Sequence, residues 1–390
     1  MTRLGFLIAL AIAIPHRAQA ATCDTLTNPI YLQVGDTQLN LMKRLGRALR
    51  DNTPKPITLV FITSGSCTNI QAIYTRVPVT ANMQYVPSIA EDAAWDPKTS
   101  ATLTCTPPGT GVVPDIANSA LFNSACTTAD PPATVHLTQG PAQAYVMAVP
   151  TVSTQTAITL EEAYFVFGFG MAGMIAPWTD ESQLFERTVT KSTQLAWAAN
   201  IGVPADKWKG VKLDGSPQVV AGINAGNAST IGILGAEVYD ANRATMKALA
   251  YRAKGQYAAY YPDSSSSSRD KKNVRDGHYT VWSPTVWMDT VDAGGAPVKP
   301  DARYVIDLIA GKTVTPAQSF GMIDIVAAVG LVPDCAMGVN RSFEGGPLKL
   351  YRPTESCTCK YESLVDTSTC ATCSSSCATG VCRNGFCEDH

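Results

Sequence analysis

The apolar and polar positions near the start of the chain form two alternating kinds of segment. Asn28 to Val34 (NPIYLQV) and Ile57 to Thr63 (ITLVFIT) are short apolar runs rich in β-branched residues, the pattern of buried strands. Between them, Gln38 to Arg50 puts Leu39, Met42, Leu45 and Leu49 on one face and Lys43, Arg44, Arg47 and Arg50 on the other, the period of an amphipathic helix opened by Gly35-Asp36-Thr37. Ser64-Gly65-Ser66 ends the second run, and Ser66 or Thr68 is placed to cap a helix from Asn69 to Tyr74. This βαβα order predicts the start of an α/β sheet. Each small polar turn between strand and helix also aims backbone N–H groups and a positive dipole end outward, a geometry that holds an anion.

Further on the pattern loosens. Pro87, Pro97, Pro107-Pro108-Gly109 and Pro114-Asp115 break any long element between Val77 and Asp130, and Asp115 to Phe122 reads as another small polar turn. Ala144 to Pro150 predicts a strand. Arg187 and Lys191-Ser192-Thr193 open a helix from Leu195 to Ile201, and two cations at a helix start oppose its dipole unless an anion or nearby acids (Asp180, Glu181, Glu186) answer them. Ala228 to Gly235 predicts a strand and Ala236 to Ala253 a helix. Ser264 to Ser268 is a serine run expected to form a flexible loop. Val274 to Trp287 alternates like a strand, Ala302 to Ala310 and Pro316 to Val329 read as helices, and a cysteine-rich tail begins near Pro353.

Composition narrows what such a sheet can do. Arg3, the apolar run Leu4 to Ile14 and the small-x-small end Ala18-Gln19-Ala20 mark residues 1–20 as a secretion signal, which predicts a periplasmic or extracellular protein. The remaining length exceeds one compact core and predicts two lobes and an appendage. With charged residues at 16% and a net charge of −2, nucleic acid and a basic membrane-binding surface are disfavoured as partners. The longest later apolar run, Ala163 to Pro177, is broken by glycines, so no direct membrane insertion is expected.

All 12 cysteines follow the signal, five before the tail and seven within it. Two odd counts require at least one disulfide between tail and body if all are paired within the chain, and Cys335 is the nearest body cysteine. Cys357-x-Cys359 and Cys370-x-x-Cys373 suit a disulfide knot in an oxidising compartment better than zinc. The mature chain's histidines, His136, His278 and His390, show no metal-ligand spacing, and no nucleophile elbow or phosphate-binding loop is present. No catalytic residue, metal or cofactor is therefore expected, and His278 in Asp276-Gly277-His278-Tyr279 reads as a turn histidine rather than a hydrolase base.

Taken together, the turns resemble those of the periplasmic phosphate-binding proteins of ABC importers. Four stretches carry the resemblance: Gly35-Asp36-Thr37-Gln38, Gly65-Ser66, Asn118-Ser119-Ala120, and Arg187 through Lys191-Ser192-Thr193. Pro177-Trp178 and Asp276-Gly277-His278-Tyr279 support it, over roughly Pro29 to Tyr351. The resemblance implies an α/β, type II periplasmic-binding-protein fold, two α/β lobes with a ligand cleft between them, plus a small disulfide-rich tail. It implies lobe 1 at 24–140 and 288–352, lobe 2 at 141–287 and the tail at 353–390. It further implies a non-enzymatic monomer that captures phosphate or a similar oxyanion, with an importer permease as partner. Thr37, Gln38, Gly65, Ser66, Ser119, Arg187, Lys191, Ser192 and Thr193 are the ligand-binding residues it points to.

Two departures stand out. The acidic acceptor that the family carries in its Ser-Asp turn falls on Ser119 or Ala120, and Asp36 puts a carboxylate at the first helix start. Both predict relaxed selectivity, with a fully ionised oxyanion such as sulfate losing less than protonated phosphate. A secreted non-transport protein that keeps the scaffold for macromolecular contact is the alternative, and an unrecognised secreted hydrolase comes third.

Overall fold

The structure is a computed structural model that describes residues 21–365 and 368–389; the secretion signal expected at 1–20 lies outside the described residues. The chain opens with strand β1 (Pro29–Gly35), helix α1 (Leu39–Arg50), β2 (Thr58–Ser64) and α2 (Ser66–Thr75). A single 3-10 turn, Asp36–Gln38, joins β1 to α1. Helix α1 buries Leu41, Met42, Leu45 and Leu49 against the sheet, and each such side chain contributes about 1.5–3 kcal/mol of burial. Short strands β3 (Met83–Tyr85) and β4 (Leu103–Cys105) follow, then β5 (Ile116–Ser119) and the long β6 (Val135–Pro150). Residues 115–122, expected as a turn, are thus mostly strand, because β5 lies between β1 and a later strand, fully buried.

The second half runs β7 (Ala157–Thr159), α3 (Leu160–Phe169), β8 (Leu184–Arg187), α4 (Ser192–Ile201), β9 (Val211–Leu213), α5 (Ser216–Ala225), β10 (Ile231–Gly235) and α6 (Ala236–Ala241). The helix expected to continue to Ala253 stops at Ala241. There β11 (Met246–Ala248) pairs with β6 and β12 (Ala250–Arg252) with β7, so sheet edges override helical propensity. A short helix α7 (Lys272–Arg275) replaces the first part of the strand expected from Val274, and β13 (Trp282–Thr290) supplies the rest. Helices α8 (Pro300–Ile309), α9 (Met322–Ala328) and α10 (Thr358–Val365) complete the chain before a small hairpin, Val381–Arg383 with Phe386–Glu388. The serine run is anchored rather than free, since Ser264 bonds the buried Asp270 through both its amide and its hydroxyl.

One continuous sheet runs in the order β4-β3-β2-β1-β5-β13-β6-β10-β8-β9. Strands β2, β1 and β5 are parallel on one side, β10, β8 and β9 on the other, and the antiparallel pair β13 and β6 joins them. The result is two α/β lobes with a cleft between, matching the implied architecture. Gly140 in β6 lets the two joining strands approach, because a Cβ there would sit 2.8 Å from Thr285 Oγ1 and from the Trp287 ring. The sequence division into 24–140 with 288–352 and 141–287 is kept as a proposal with one amendment. Ala327, Val332, Ala336 and Met337, with Cys357 and Tyr361 of the tail, pack into the core built by the second lobe.

The disulfides follow the parity argument. Cys23–Cys105 and Cys67–Cys126 lie within the body, Cys335–Cys357 joins body to tail, and Cys359–Cys370, Cys373–Cys382 and Cys377–Cys387 knot the tail. Tyr361 is fully buried, and the Arg275–Glu362 and Lys360–Asp324 pairs add contacts at 2.7 and 3.0 Å. Removing the joining disulfide with Cys335→Ala and Cys357→Ala is expected to cost roughly 3 kcal/mol by the loop-entropy relation for a separation of 22 residues. Urea unfolding followed by circular dichroism, with a lower midpoint and a slope that is equal or steeper because the unfolded chain is less constrained, checks it.

Candidate functional site

Parallel strands point their carboxyl ends one way, and in open α/β sheets ligands bind just beyond those ends. Here β1 ends at Gly35, β2 at Ser64 and β5 at Ser119 in one lobe, while β8 ends at Arg187 and β10 at Gly235 in the other. Every residue implied as ligand-binding follows or closes one of these strand ends. The lobes touch across them: the Cys67 amide donates to Thr190 O at 3.2 Å, and a Cβ on Gly65 would lie 2.7 Å from Thr190 Oγ1. Gly65 is therefore needed for close approach between lobes.

The strongest contact across the cleft joins Arg187 and Asp36. Arg187 is fully buried, and its Nη2 donates to Asp36 Oδ2 at 2.7 Å. The other guanidinium bonds go to Ser216 Oγ (2.7 Å), Leu213 O (3.2 Å) and Asp214 O (2.6 Å), so four donor contacts are already made within the protein. Asp36 Oδ2 also accepts from the Ser216 amide at 3.2 Å and its hydroxyl at 3.0 Å, which seats it at the start of α5, where a helix favours an anion. Asp36 was expected to crowd the start of its own helix; instead it reaches over and supplies the anion for the opposite lobe. The acids that answer the cations of this segment are likewise Asp36 and Asp214, the latter 3.2 Å from Lys191 Nζ, rather than Asp180, Glu181 or Glu186.

The other implied residues divide by what they already touch. Ser66 does not cap α2, whose N-cap is Gly65 with no side-chain bond; its hydroxyl accepts from the Ala120 amide at 3.1 Å and ties two strand ends together. Ser119 donates to Leu121 O at 2.8 Å within its own turn. Ser192 lies against the Tyr145 hydroxyl, which donates to Ala120 O. Gln38 donates to Gln143 Oε1 at 2.5 Å, and Gln143 donates to Glu237 Oε2 at 2.6 Å, a chain from one lobe across β6 to the other. Thr37 Oγ1 and Thr193 Oγ1, near the starts of α1 and α4, are buried and make no hydrogen bond.

Sequence reasoning missed Gln143, Tyr145, Ser216, Glu237, Ser283 and Glu344. Glu237 had a signal, because Gly235-Ala236-Glu237 repeats the strand, glycine, acid, helix order of Gly35-Asp36. The others had none. Burial raises the Glu237 carboxyl to about 8, with Asp36 and Asp240 adding to the shift, and raises Glu344 to about 7 beside Ser283 and Arg341. Burial likewise raises Glu186 to about 7, with Gln194 as its hydrogen-bond donor at 3.3 Å.

Among the described residues, the one cluster with ligand-like spacing is Cys373, Cys377 and Cys387, and all three sulfurs are spent in disulfides. His278 Nδ1 pairs with Asp276 at 2.7 Å and the ring stacks on Tyr260. No helix among the described residues is long and apolar enough to cross a membrane.

This arrangement is the type II periplasmic-binding-protein fold, two α/β lobes with a cleft between them. Comparison with solved structures agrees at the level of fold. A putative phosphate ABC transporter substrate-binding protein from Clostridium perfringens, solved with bound phosphate, is similar with a TM-score of 0.53 at 13% identity, over 78% of this chain and 99% of that one. An ABC-type phosphate transport receptor from Vibrio cholerae gives 0.48 at 13% identity, over 78% and 99%. No protein-family model and no curated protein matches the sequence.

Two outcomes follow from the buried charges. Asp36→Asn leaves Arg187 buried and uncompensated, so it is expected to lower stability by roughly 3 kcal/mol and to strengthen the stabilising effect of added phosphate, read as the shift in melting temperature. Carboxyls raised by burial favour the neutral form, so their contribution is full below about pH 4.5 and is lost as pH rises through about 7 to 8. The ligand-free protein should melt higher at pH 5.5 than at pH 8, and Glu237→Gln should flatten that slope in calorimetric scans.

Proposed function

We propose that the protein is an exported binding protein that captures phosphate or a related oxyanion for ABC-type import, with selectivity altered from that of dedicated phosphate receptors. The observation that carries this is the meeting of strand ends from both lobes around two buried, unbonded hydroxyls, Thr37 and Thr193, each near a helix start that favours an anion. Altered selectivity follows from Arg187, whose charge is matched by Asp36 before any ligand arrives. With the Arg187 guanidinium engaged in this way, the neutral donors Thr37 and Thr193 carry the recognition at the helix starts, and such donors discriminate weakly among tetrahedral oxyanions. An importer permease is the partner this reading implies.

The alternative, a secreted protein that keeps the scaffold for contact with other macromolecules, draws on the same clasp, since Asp36 of one lobe is already bonded to Arg187 and Ser216 of the other. Calorimetry of the mature protein with phosphate and sulfate at pH 6 and pH 8 separates the two. Micromolar or weaker binding of both anions, within about tenfold of each other, is expected. Submicromolar phosphate binding with sulfate rejected removes the altered-selectivity element, and a melting temperature indifferent to a whole anion panel favours the scaffold reading.

A further inference from the structure

The unbonded polar atoms of the cleft are not all donors. Glu237 Oε1, Gln38 Oε1 and both carboxylate oxygens of Glu344 are buried without a hydrogen-bond partner. They belong to one neighbourhood. Gln38 and Glu237 are joined through Gln143, which pairs in register with Ser283 on β13, and the Ser283 hydroxyl lies beside Glu344. Tyr145, two residues along β6 from Gln143, senses the charges of both Glu237 and Glu344. Glu344 does not plug the anion seat, because Thr37 and Thr193 would then be its natural donors and both hydroxyls are unbonded.

The cleft thus has two unlike walls. One offers hydroxyls and helix starts, and the other offers buried acceptors without a hydrogen-bond partner, of which Glu344 is faced by Arg341, whose Nε and Nη1 are likewise unbonded. A bare inorganic anion satisfies only the first wall, leaves the acceptors of the second unfilled, and is repelled by them once they ionise. A ligand with an ammonium group satisfies both, and, being close to neutral overall, does not require the positive charge that Arg187 has given to Asp36. We propose, resting on the oxyanion reading above, that the natural ligand is a small zwitterion, an oxyanion carried on a short amine-bearing chain, with Glu344 and Glu237 receiving the ammonium.

Burial raises both carboxyls, to about 7 for Glu344 despite the opposing charge of Arg341, and to about 8 for Glu237. Arg341 faces Glu344 from its own segment without bonding it, while Tyr145, the Phe122 amide and Ser283 complete its surroundings; Asp36 and Asp240 face Glu237. An arriving ammonium favours both ionised forms, so binding near pH 7 should release protons.

The test compares 2-aminoethyl phosphate with ethyl phosphate and inorganic phosphate by calorimetry in buffers of different ionisation enthalpy. The amine is expected to improve affinity on the order of 10- to 100-fold over the ethyl ester, with more protons released than for the ethyl ester. Glu344→Gln and Glu237→Gln are each expected to pull that ratio toward one, and either suffices if the other fails to fold. Equal binding of the two esters by the unaltered protein overturns the zwitterion proposal and leaves the oxyanion reading standing. An amine advantage that survives in both variants overturns the assignment of the acceptors. Failure of all three ligands to bind overturns the oxyanion reading itself.

Discussion

The buried pairing of Arg187 with Asp36 is the constraint from which the rest of the cleft follows. A guanidinium with no exposed surface requires a counter-charge, because desolvation of an isolated ion costs several kcal/mol after relaxation. In this protein the counter-charge comes from the opposite lobe, and the start of α5 helps to hold it through the Ser216 amide. One interaction therefore neutralises the cleft's deepest cation, occupies a helix start and brings the lobes together.

Once that pair is set, the remaining polar groups arrange around a nearly neutral cleft. Lys191 is drawn off to Asp214 at the more exposed edge. Ser66 and Ser119 are used to fix the ends of β2 and β5, leaving Thr37 and Thr193 at the helix starts and Ser283 on β13 as hydroxyls without partners. On the other side, β6 and β13 form the floor, and the inward residues Gln143, Tyr145 and Ser283 meet acids from α6 and from the segment near Glu344. The tail disulfide at Cys335 fixes the chain just before that segment, so the knot and the cleft wall are mechanically linked.

Legibility in the sequence tracked local pattern. The β1, α1, β2 and α2 order, the two-lobed class and the disulfide parity rest on periodicity, turn residues and counting, and the structure keeps all of them, with element ends shifted by one residue except at α2, which starts at Ser66 rather than Asn69. Where pairing with a distant strand decided the outcome, local pattern failed: Asp115 to Phe122 became β5 because β1 and β13 flank it, and the helix after Ala236 gave way to the edge strand β11. In the site, position was legible and allegiance was not. Arg187 and Asp36 were both picked out as charges at helix starts, but their partnership spans a separation of 151 residues. Glu344 was invisible because its segment carries no motif, and only the folded chain sets it beside Ser283.

The clasp also sets how ligand binding divides into closing and holding. A ligand shifts an equilibrium only by its differential affinity for the two states, and a receptor that must be closed by its ligand spends part of the gross affinity on doing so. Here Asp36, the Cys67 amide bond to Thr190 O and the Gln38–Gln143–Glu237 chain already hold the lobes together. Contacts within the protein thereby hold the lobes together, and the same contacts occupy the arginine that would otherwise make an oxyanion site strong. Affinity in such a cleft has to come from filling buried groups that lack partners, and these stand on both walls. A ligand matched to only one wall leaves the other uncompensated, so selectivity in this protein is governed by its acceptors at least as much as by its anion-binding helix starts.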